Sequence, residues 1–326
     1  MPKKNNVMNI LYGIDEWSKD YSRYLWVSIL SLLENNKGEN IHIYILSKYI
    51  EESNKNELIR IVKSYWKEIS FSEWDIVPDK YRKILYLWWW PLAAYYRRFF
   101  SNCFDIKDRV LYMDCDTIVM KNLSEFYNSD FEWNVFIWHL DFSVTEFAQR
   151  KKFWLKKYIN SWVYLINIPL FEKVDLYEEV IKVNNKFNWV DFPDQDYVNI
   201  IFQDRIKIDE NLQCIVNYKR TPDFDKYLIL HTTVKPNVWW YWWCSQKIEK
   251  IFNDYLIKTK RKTYIWFKRK ITWKQFLSYI YDSIRFFMIN VSLKFFWVRC
   301  ACHVRSFFNK LTNIIGTSCR KLWLIK

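Results

Sequence analysis

Two apolar runs alternate with two helical stretches over residues 7–66, and that alternation restricts the chain to a sheet assembled through helical crossovers. Val7 to Tyr12 reads as a buried strand, Ser22 to Asn35 as an amphipathic helix, Ile41 to Leu46 as a second strand and Glu51 to Trp66 as a second helix. Strands joined by helices of this length pair in parallel, which begins a doubly wound α/β sheet. Further on, Pro91 opens a helix through Phe100, since its fixed φ is tolerated in a first helical turn. Val135 to Leu140 and Val163 to Ile168 read as strands, whereas Leu170 to Lys186 and Asp194 to Phe202 read as helices.

Within this pattern, the apolar run that starts at Arg109 ends in Asp114-Cys115-Asp116 and resumes as Thr117-Ile118-Val119. On extended backbone, side chains at i and i+2 point to the same side, so both carboxylates can face a crevice beyond the strand's carboxyl end. Open α/β sheets bind ligands in that crevice. Two hard oxygens suit Mn²⁺ or Mg²⁺, ions that commonly join protein carboxylates to substrate phosphates. An Asp pair would also serve a solvated surface turn. What else the chain brings to the crevice decides between the two.

With 326 residues and 51% hydrophobic content, the chain can bury a full α/β core and carry an appendage. Charge divides it. Residues 258–326 hold 16 Lys or Arg and one acid, Asp282, while the remainder holds 34 basic against 35 acidic residues. Aromatics such as Trp266, Trp273, Phe286, Phe287, Phe295 and Trp297 are interleaved with these cations. The mixture fits helices at an anionic lipid interface, and the apolar runs Ile284–Val291 and Phe295–Val298 favour acyl chains over stacked bases. A helical subdomain packed on the core would use the same residues. We expect a domain over 1–245 and a basic, aromatic, helical, membrane-associating region over 246–326, with no nucleic-acid partner. The seven cysteines lack metal-type spacing and read as reduced intracellular thiols. The first residues do not read as a signal peptide, and no long uncharged apolar stretch reads as a membrane span.

Several blocks in order give the chain a resemblance to family 8 glycosyltransferases, the retaining enzymes that include lipopolysaccharide galactosyl- and glucosyltransferases. They are Asn9-Ile10-Leu11-Tyr12-Gly13-Ile14-Asp15-Glu16, the stretch Tyr24 to Asn36, Tyr95-Tyr96-Arg97, the Asp-Cys-Asp run, Asn160 to Asn167, Phe192-Pro193-Asp194-Gln195-Asp196, and His231 followed by Lys235-Pro236. The resemblance implies a GT-A type fold, a nucleotide-sugar-binding mixed sheet flanked by helices. It implies metal ligation by Asp114, Asp116 and His231. It also implies a base contact for Asp15, sugar or phosphate contacts for Arg97, a diphosphate contact for Lys235, and a sugar pocket lined by Asp141 and Asn160. Asp194 and Gln195 match the positions nearest the anomeric carbon. Retaining hydrolases form a covalent intermediate there through a carboxylate; an amide is a poor nucleophile, so the resemblance implies front-face transfer with Gln195 stabilising an oxocarbenium-like species. From the residues alone, His231 could instead cap a backbone carbonyl, Arg97 and Lys235 could be solvated cations, and Asp194 or Asp196 could be a carboxylate at a helix N-terminus.

The function expected is therefore hexose transfer from a UDP-sugar to a lipopolysaccharide-core or other lipid-linked glycan, with Mn²⁺ or Mg²⁺, at the cytoplasmic face of the membrane. One anomaly bears on it. There are three glycines against twenty tryptophans, where average glycine usage is about 7%. Trp26 and Trp162 stand where the family has glycine, and Trp88-Trp89-Trp90 and the cluster Trp239–Trp243 are hard to pack. A UGA codon assigned to glycine in one genetic code and to tryptophan in another would produce this pattern at once. Otherwise the indoles fill the pocket and leave an inactive, membrane-associated scaffold.

Overall fold

A computed structural model describes residues 7–16, 21–47, 49–73, 100–138, 144–159, 161–187, 190–209, 214–216, 227–231 and 246–260. Residues 91–99 of the expected Pro91–Phe100 helix and the basic tail beyond residue 260 lie outside these residues, and Phe100 opens a short 3₁₀ turn, Phe100–Asn102.

Seven strands form the main sheet: β1 (Met8–Ile14), β2 (Ile41–Ser47), β3 (Glu68–Glu73), β4 (Arg109–Met113), β6 (Phe136–Trp138), β7 (Val163–Asn167) and β8 (Ile206–Ile208). Their spatial order is β3-β2-β1-β4-β7-β6-β8. β2 pairs in parallel with both β1 and β3, and β1 with β4, while β7 runs antiparallel between β4 and β6. The sheet is therefore mixed. Both faces are covered, as the burial of consecutive residues Ile10, Leu11 and Tyr12, and of Val110 and Leu111, requires.

Order reverses at β1 and β4, because the chain leaves β1 towards β2 and β3 and returns on β1's other edge. Crevices at such reversals are where open α/β sheets take ligands. Antiparallel β7 sends its leading end to the same rim: Met113 pairs with Val163, so residues 161 and 162 stand beside Asp114.

A second sheet joins β5 (Thr117–Val119), β10 (Ile229–His231) and β9 (Cys214–Val216), with β10 antiparallel to β5 and parallel to β9. Helix α1 (Ser22–Asn35) lies along β5 and satisfies that strand's free edge with side chains. Ser31 Oγ accepts from Val119 N at 2.9 Å, and Asn35 Nδ2 donates to the Val119 carbonyl at 3.0 Å. The expected amphipathic helix is in fact buried from Ser22 through Leu33. Its polar residues face protein partners, not water.

Other helices are α2 (Glu52–Ser64), α3 (Ser124–Tyr127), α4 (Val144–Phe153), α5 (Ile168–Phe171), α6 (Leu176–Phe187), α7 (Pro193–Ile201) and α8 (Gln246–Leu256). The single helix expected over Leu170–Lys186 is divided into α5 and α6. Asp175 is the reason, since its carboxylate accepts from the backbone N–H groups of Tyr177 and Glu178 and starts a new helix. Helix α8 packs on α1, where Asn35 Nδ2 reaches Tyr255 Oη at 3.1 Å and Lys258 Nζ pairs with Glu34 at 2.8 Å. Among the described residues no helix is long and apolar enough to cross a membrane.

Candidate metal centre

β4 ends at Met113, and the chain turns at once into β5, so Asp114 and Asp116 occupy the link between the two sheets. Polar contacts fix this turn from below. Thr117 Oγ1 donates to the Asp114 carbonyl at 2.8 Å and lies 2.8 Å from Ser28 Oγ, which in turn meets the buried Tyr12 hydroxyl at 3.1 Å. Asp114 N donates to the Trp162 carbonyl at 2.9 Å, and Cys115 Sγ to the Gly13 carbonyl at 3.3 Å. The cysteine side chain is thus packed inward against β1 while the flanking carboxylates face the rim. Burial, reinforced by those two carboxylates, pushes the Cys115 thiol well above its usual range.

His231 arrives through strand pairing. In the β5–β10 register it lies opposite Thr117, next to Asp116. Its Nε2 is 2.9 Å from Asp116 Oδ1 and 3.8 Å from Asp114 Oδ2. One ligand atom from each of the three residues lies within 4.8 Å of the others. The imidazole is 4% exposed, Asp116 12% and Asp114 23%, so the cluster is rooted in protein and open on its carboxylate side. Tyr112, two residues before Asp114 and on the same side of the strand, donates its hydroxyl to Asp114 Oδ1 at 2.7 Å. Such a hydroxyl orients a carboxylate ligand from behind.

The donor set fits a divalent ion of the first transition row. Two carboxylates and an imidazole, each offering one atom to a common point, suit Mn²⁺, and the imidazole makes Mg²⁺ the poorer match.

A second cluster borders the same rim at the start of α7. Ser161 Oγ donates to Asp194 Oδ2 at 2.9 Å, and Ser161 N to Gln195 Oε1 at 3.2 Å. Asp196 accepts from the Tyr158 hydroxyl, and its other oxygen accepts from Asp191 N and Phe192 N at 2.8 Å each. Burial outweighs these three donors and raises the Asp196 carboxyl to about 6. Burial and the adjacent carboxylates likewise push the Tyr158 phenol far up. Asn199 clamps the approach to this loop from both sides: its Oδ1 accepts from Ile159 N at 2.7 Å, and its Nδ2 donates to the Ile159 carbonyl at 2.8 Å.

Of the residues singled out in the sequence, Asp114, Asp116 and His231 come together, and Asp194 and Gln195 are joined to the rim by Ser161. Asp15 follows β1 directly and is half-buried, whereas neighbouring Glu16 is buried and spent on structure. Glu16 accepts from Ser22 Oγ, from Asn54 Nδ2 at 2.5 Å and from Glu51 N at 2.9 Å. Arg97, Asp141, Asn160 and Lys235 lie outside the described residues. Sequence reasoning missed Tyr112, Tyr158 and Asn199. For Tyr112 a signal existed, namely its two-residue spacing from Asp114.

Residues 9–235 match the model of glycosyl transferase family 8. The chain belongs to this family. It is 27% identical over 225 residues to the lipopolysaccharide 1,2-glucosyltransferase of Escherichia coli, an alignment covering 66% of this chain and 65% of that protein. With the lipopolysaccharide 1,3-galactosyltransferase of Salmonella typhimurium it shares 22% identity over 267 residues, 75% of this chain and 76% of the other. It spans just under two thirds of the length of the Escherichia coli relative. The crystal structure of the galactosyltransferase LgtC with donor and acceptor sugar analogs shares the fold, with a TM-score of 0.62 at 18% identity over 76% of this chain and 96% of that one. The mixed sheet and its flanking helices are thus the GT-A type architecture of family 8.

Proposed function

We propose that the protein is a metal-dependent retaining glycosyltransferase that moves a hexose from a UDP-sugar to a lipopolysaccharide-core or other lipid-linked glycan. One observation carries the reading: Asp114, Asp116 and His231 converge at the rim although 115 residues separate His231 from Asp116. Similarity to the lipopolysaccharide 1,2-glucosyltransferase of Escherichia coli and the lipopolysaccharide 1,3-galactosyltransferase of Salmonella typhimurium supports a hexose donor and a lipopolysaccharide-type acceptor. When bound by Asp114, Asp116 and His231, Mn²⁺ supplies Lewis-acid stabilisation of the charge left on the departing diphosphate.

The chain's own residues do the rest. Asp15 contacts the base, Arg97 and Lys235 hydrogen-bond sugar and phosphate oxygens, and Asp141 and Asn160 line the hexose pocket. In the transfer, the bond from the anomeric carbon to the diphosphate oxygen breaks and the acceptor hydroxyl bonds to the same face. The acceptor's proton leaves on the diphosphate. Gln195 and Asp194, held by Ser161, stabilise the positive charge that builds on the sugar as the bond lengthens. The basic, aromatic stretch within 246–326 holds the enzyme to anionic lipid at the cytoplasmic face.

Calorimetric titration with a panel of UDP-sugars tests this. The expected result is binding that requires Mn²⁺ and is lost in Asp114→Asn protein; binding indifferent to both would overturn the reading. Anionic vesicles should bind the full chain in a salt-dependent way, and oligonucleotides should not.

A further inference from the structure

Three non-glycine residues among those described have positive φ, and two of them are tryptophan: Trp66 at 58° and Trp154 at 56°. This left-handed region places Cβ against the following carbonyl, which is why glycine dominates it and a bulky side chain is an outlier there. Both tryptophans follow a helix end, Trp66 two residues after α2 and Trp154 directly after α4, in the exit that glycine ordinarily makes. Trp66 N donates to the Lys63 carbonyl at 3.0 Å and Lys67 N to the Val62 carbonyl at 3.3 Å. After α4, Leu155 N donates to the Arg150 carbonyl at 2.9 Å. The first pair of bonds is the full glycine-type C-terminal motif, and the second contains its longer arm.

Packing does not offset the backbone strain. Trp66 is 93% exposed and Trp154 76%, so most of each indole lies in water. Trp26 has the opposite problem: it is buried within α1, and its Nε1 has no hydrogen-bond partner among the described residues. Trp162 lies against the metal centre, its ring centroid 4.2 Å from that of His231. It precedes β7, whose register brings it to the crevice beside Asp114. Four tryptophans therefore occupy a helix exit, a second helix exit, the buried face of a helix and the wall of the proposed donor site. These are the kinds of place where the absence of a side chain has a use.

We propose that residues 26, 66, 154 and 162 are glycine in the functional protein, each encoded by UGA, and that glycine at 162 leaves open the space beside His231 that the donor's diphosphate sugar needs. UGA joins the two identities because different genetic codes assign it to tryptophan or to glycine. One reassigned codon accounts for the misplaced indoles and for the scarcity of glycine together. The clause on residue 162 rests on the glycosyltransferase reading; the rest does not.

The test is the gene sequence together with tandem mass spectrometry of peptides from the protein purified from its own cells. UGA codons and glycine-containing peptides at 26, 66, 154 and 162 are expected. UGG codons, or peptides with tryptophan at these positions, overturn the proposal whatever the protein's activity. Recombinant variants give an independent readout. Trp66→Gly and Trp154→Gly should each raise Tm by about 2–4 °C, whereas Tyr65→Gly, one residue earlier, should lower it. A lower Tm in both tryptophan variants contradicts the proposal. Trp162→Gly should tighten Mn²⁺-dependent UDP binding at least about tenfold, roughly the effect of relieving one overpacked contact, while Trp66→Gly leaves it unchanged. Unchanged binding in Trp162→Gly, with glycine found at 66 and 154, would sink the donor-site clause alone.

Discussion

Asp114-Cys115-Asp116 and Asp194-Gln195-Asp196 are the same pattern written twice, and both lie on one rim of the sheet. The backbone makes them different. After β4 the chain is extended into a turn, so the first pair faces a common point and meets His231 there. In the first turn of α7, residues two apart diverge by roughly 200° around the axis. Asp194 therefore goes to Ser161, while Asp196 goes to Tyr158 and the backbone of Asp191 and Phe192. The first pair keeps an open side, whereas Asp194 and Asp196 are both buried. Carboxylates that converge and remain accessible can take a cation; carboxylates that diverge into protein donors hold a loop in place. The first arrangement suits the holding of a cation; the second fixes the loop that carries Asp194 and Gln195.

The largest expected effect falls on the converging pair. Asp116→Asn should lower Mn²⁺-dependent hydrolysis of a UDP-sugar by about 10²–10³-fold, as expected for losing electrostatic stabilisation of a leaving group, with little change in urea midpoint. A loss of folding stability instead would make this pair structural and erase the contrast.

Next comes the pH response of the diverging pair. Asp196 titrates near 6 in the folded protein against 3.8 when unfolded. Its raised carboxyl therefore favours the folded state fully below the unfolded value, and that contribution is lost as pH rises through about 6. Across this window the loss is on the order of 3 kcal/mol. Urea unfolding from pH 3 to 7 should show wild type losing about that much relative to Asp196→Asn, and parallel curves would contradict the burial argument.

Asn199→Ala, which leaves both backbone groups of buried Ile159 without this partner, should cost about 2 kcal/mol in the same assay. Mn²⁺ affinity should hardly move. Smallest of all, Ser161→Ala removes one hydroxyl bond to Asp194 and should cost about 1 kcal/mol. Because Ser161 N still reaches Gln195, transfer should fall less than in a Gln195→Ala variant.

Much of the sheet was legible in the sequence because β1, β2, β4 and β7 are apolar runs of at least five residues bounded by polar ones. Three-residue strands such as β5 and β10 carry too little pattern to read. That limit matters most for His231, whose place beside Asp116 depends on an antiparallel pairing that no local spacing encodes. Family resemblance, and not periodicity, pointed to it. The division between α5 and α6 was missed because hydropathy continues across Asp175 while its capping carboxylate ends one helix and begins the next. Asp196 could be read as an acid at a helix N-terminus; only the fold shows that it reaches back to Asp191 and Phe192.

The most direct test of the central claim is a Mn²⁺ titration in the presence of UDP, followed through the paramagnetic resonance signal of the free ion. One ion per chain should be withdrawn from solution, with affinity reduced about 10–100-fold or more in His231→Ala and abolished when Asp114 and Asp116 are both changed to Asn. Equal uptake by wild type and the double variant would show that this cluster is not where the ion resides.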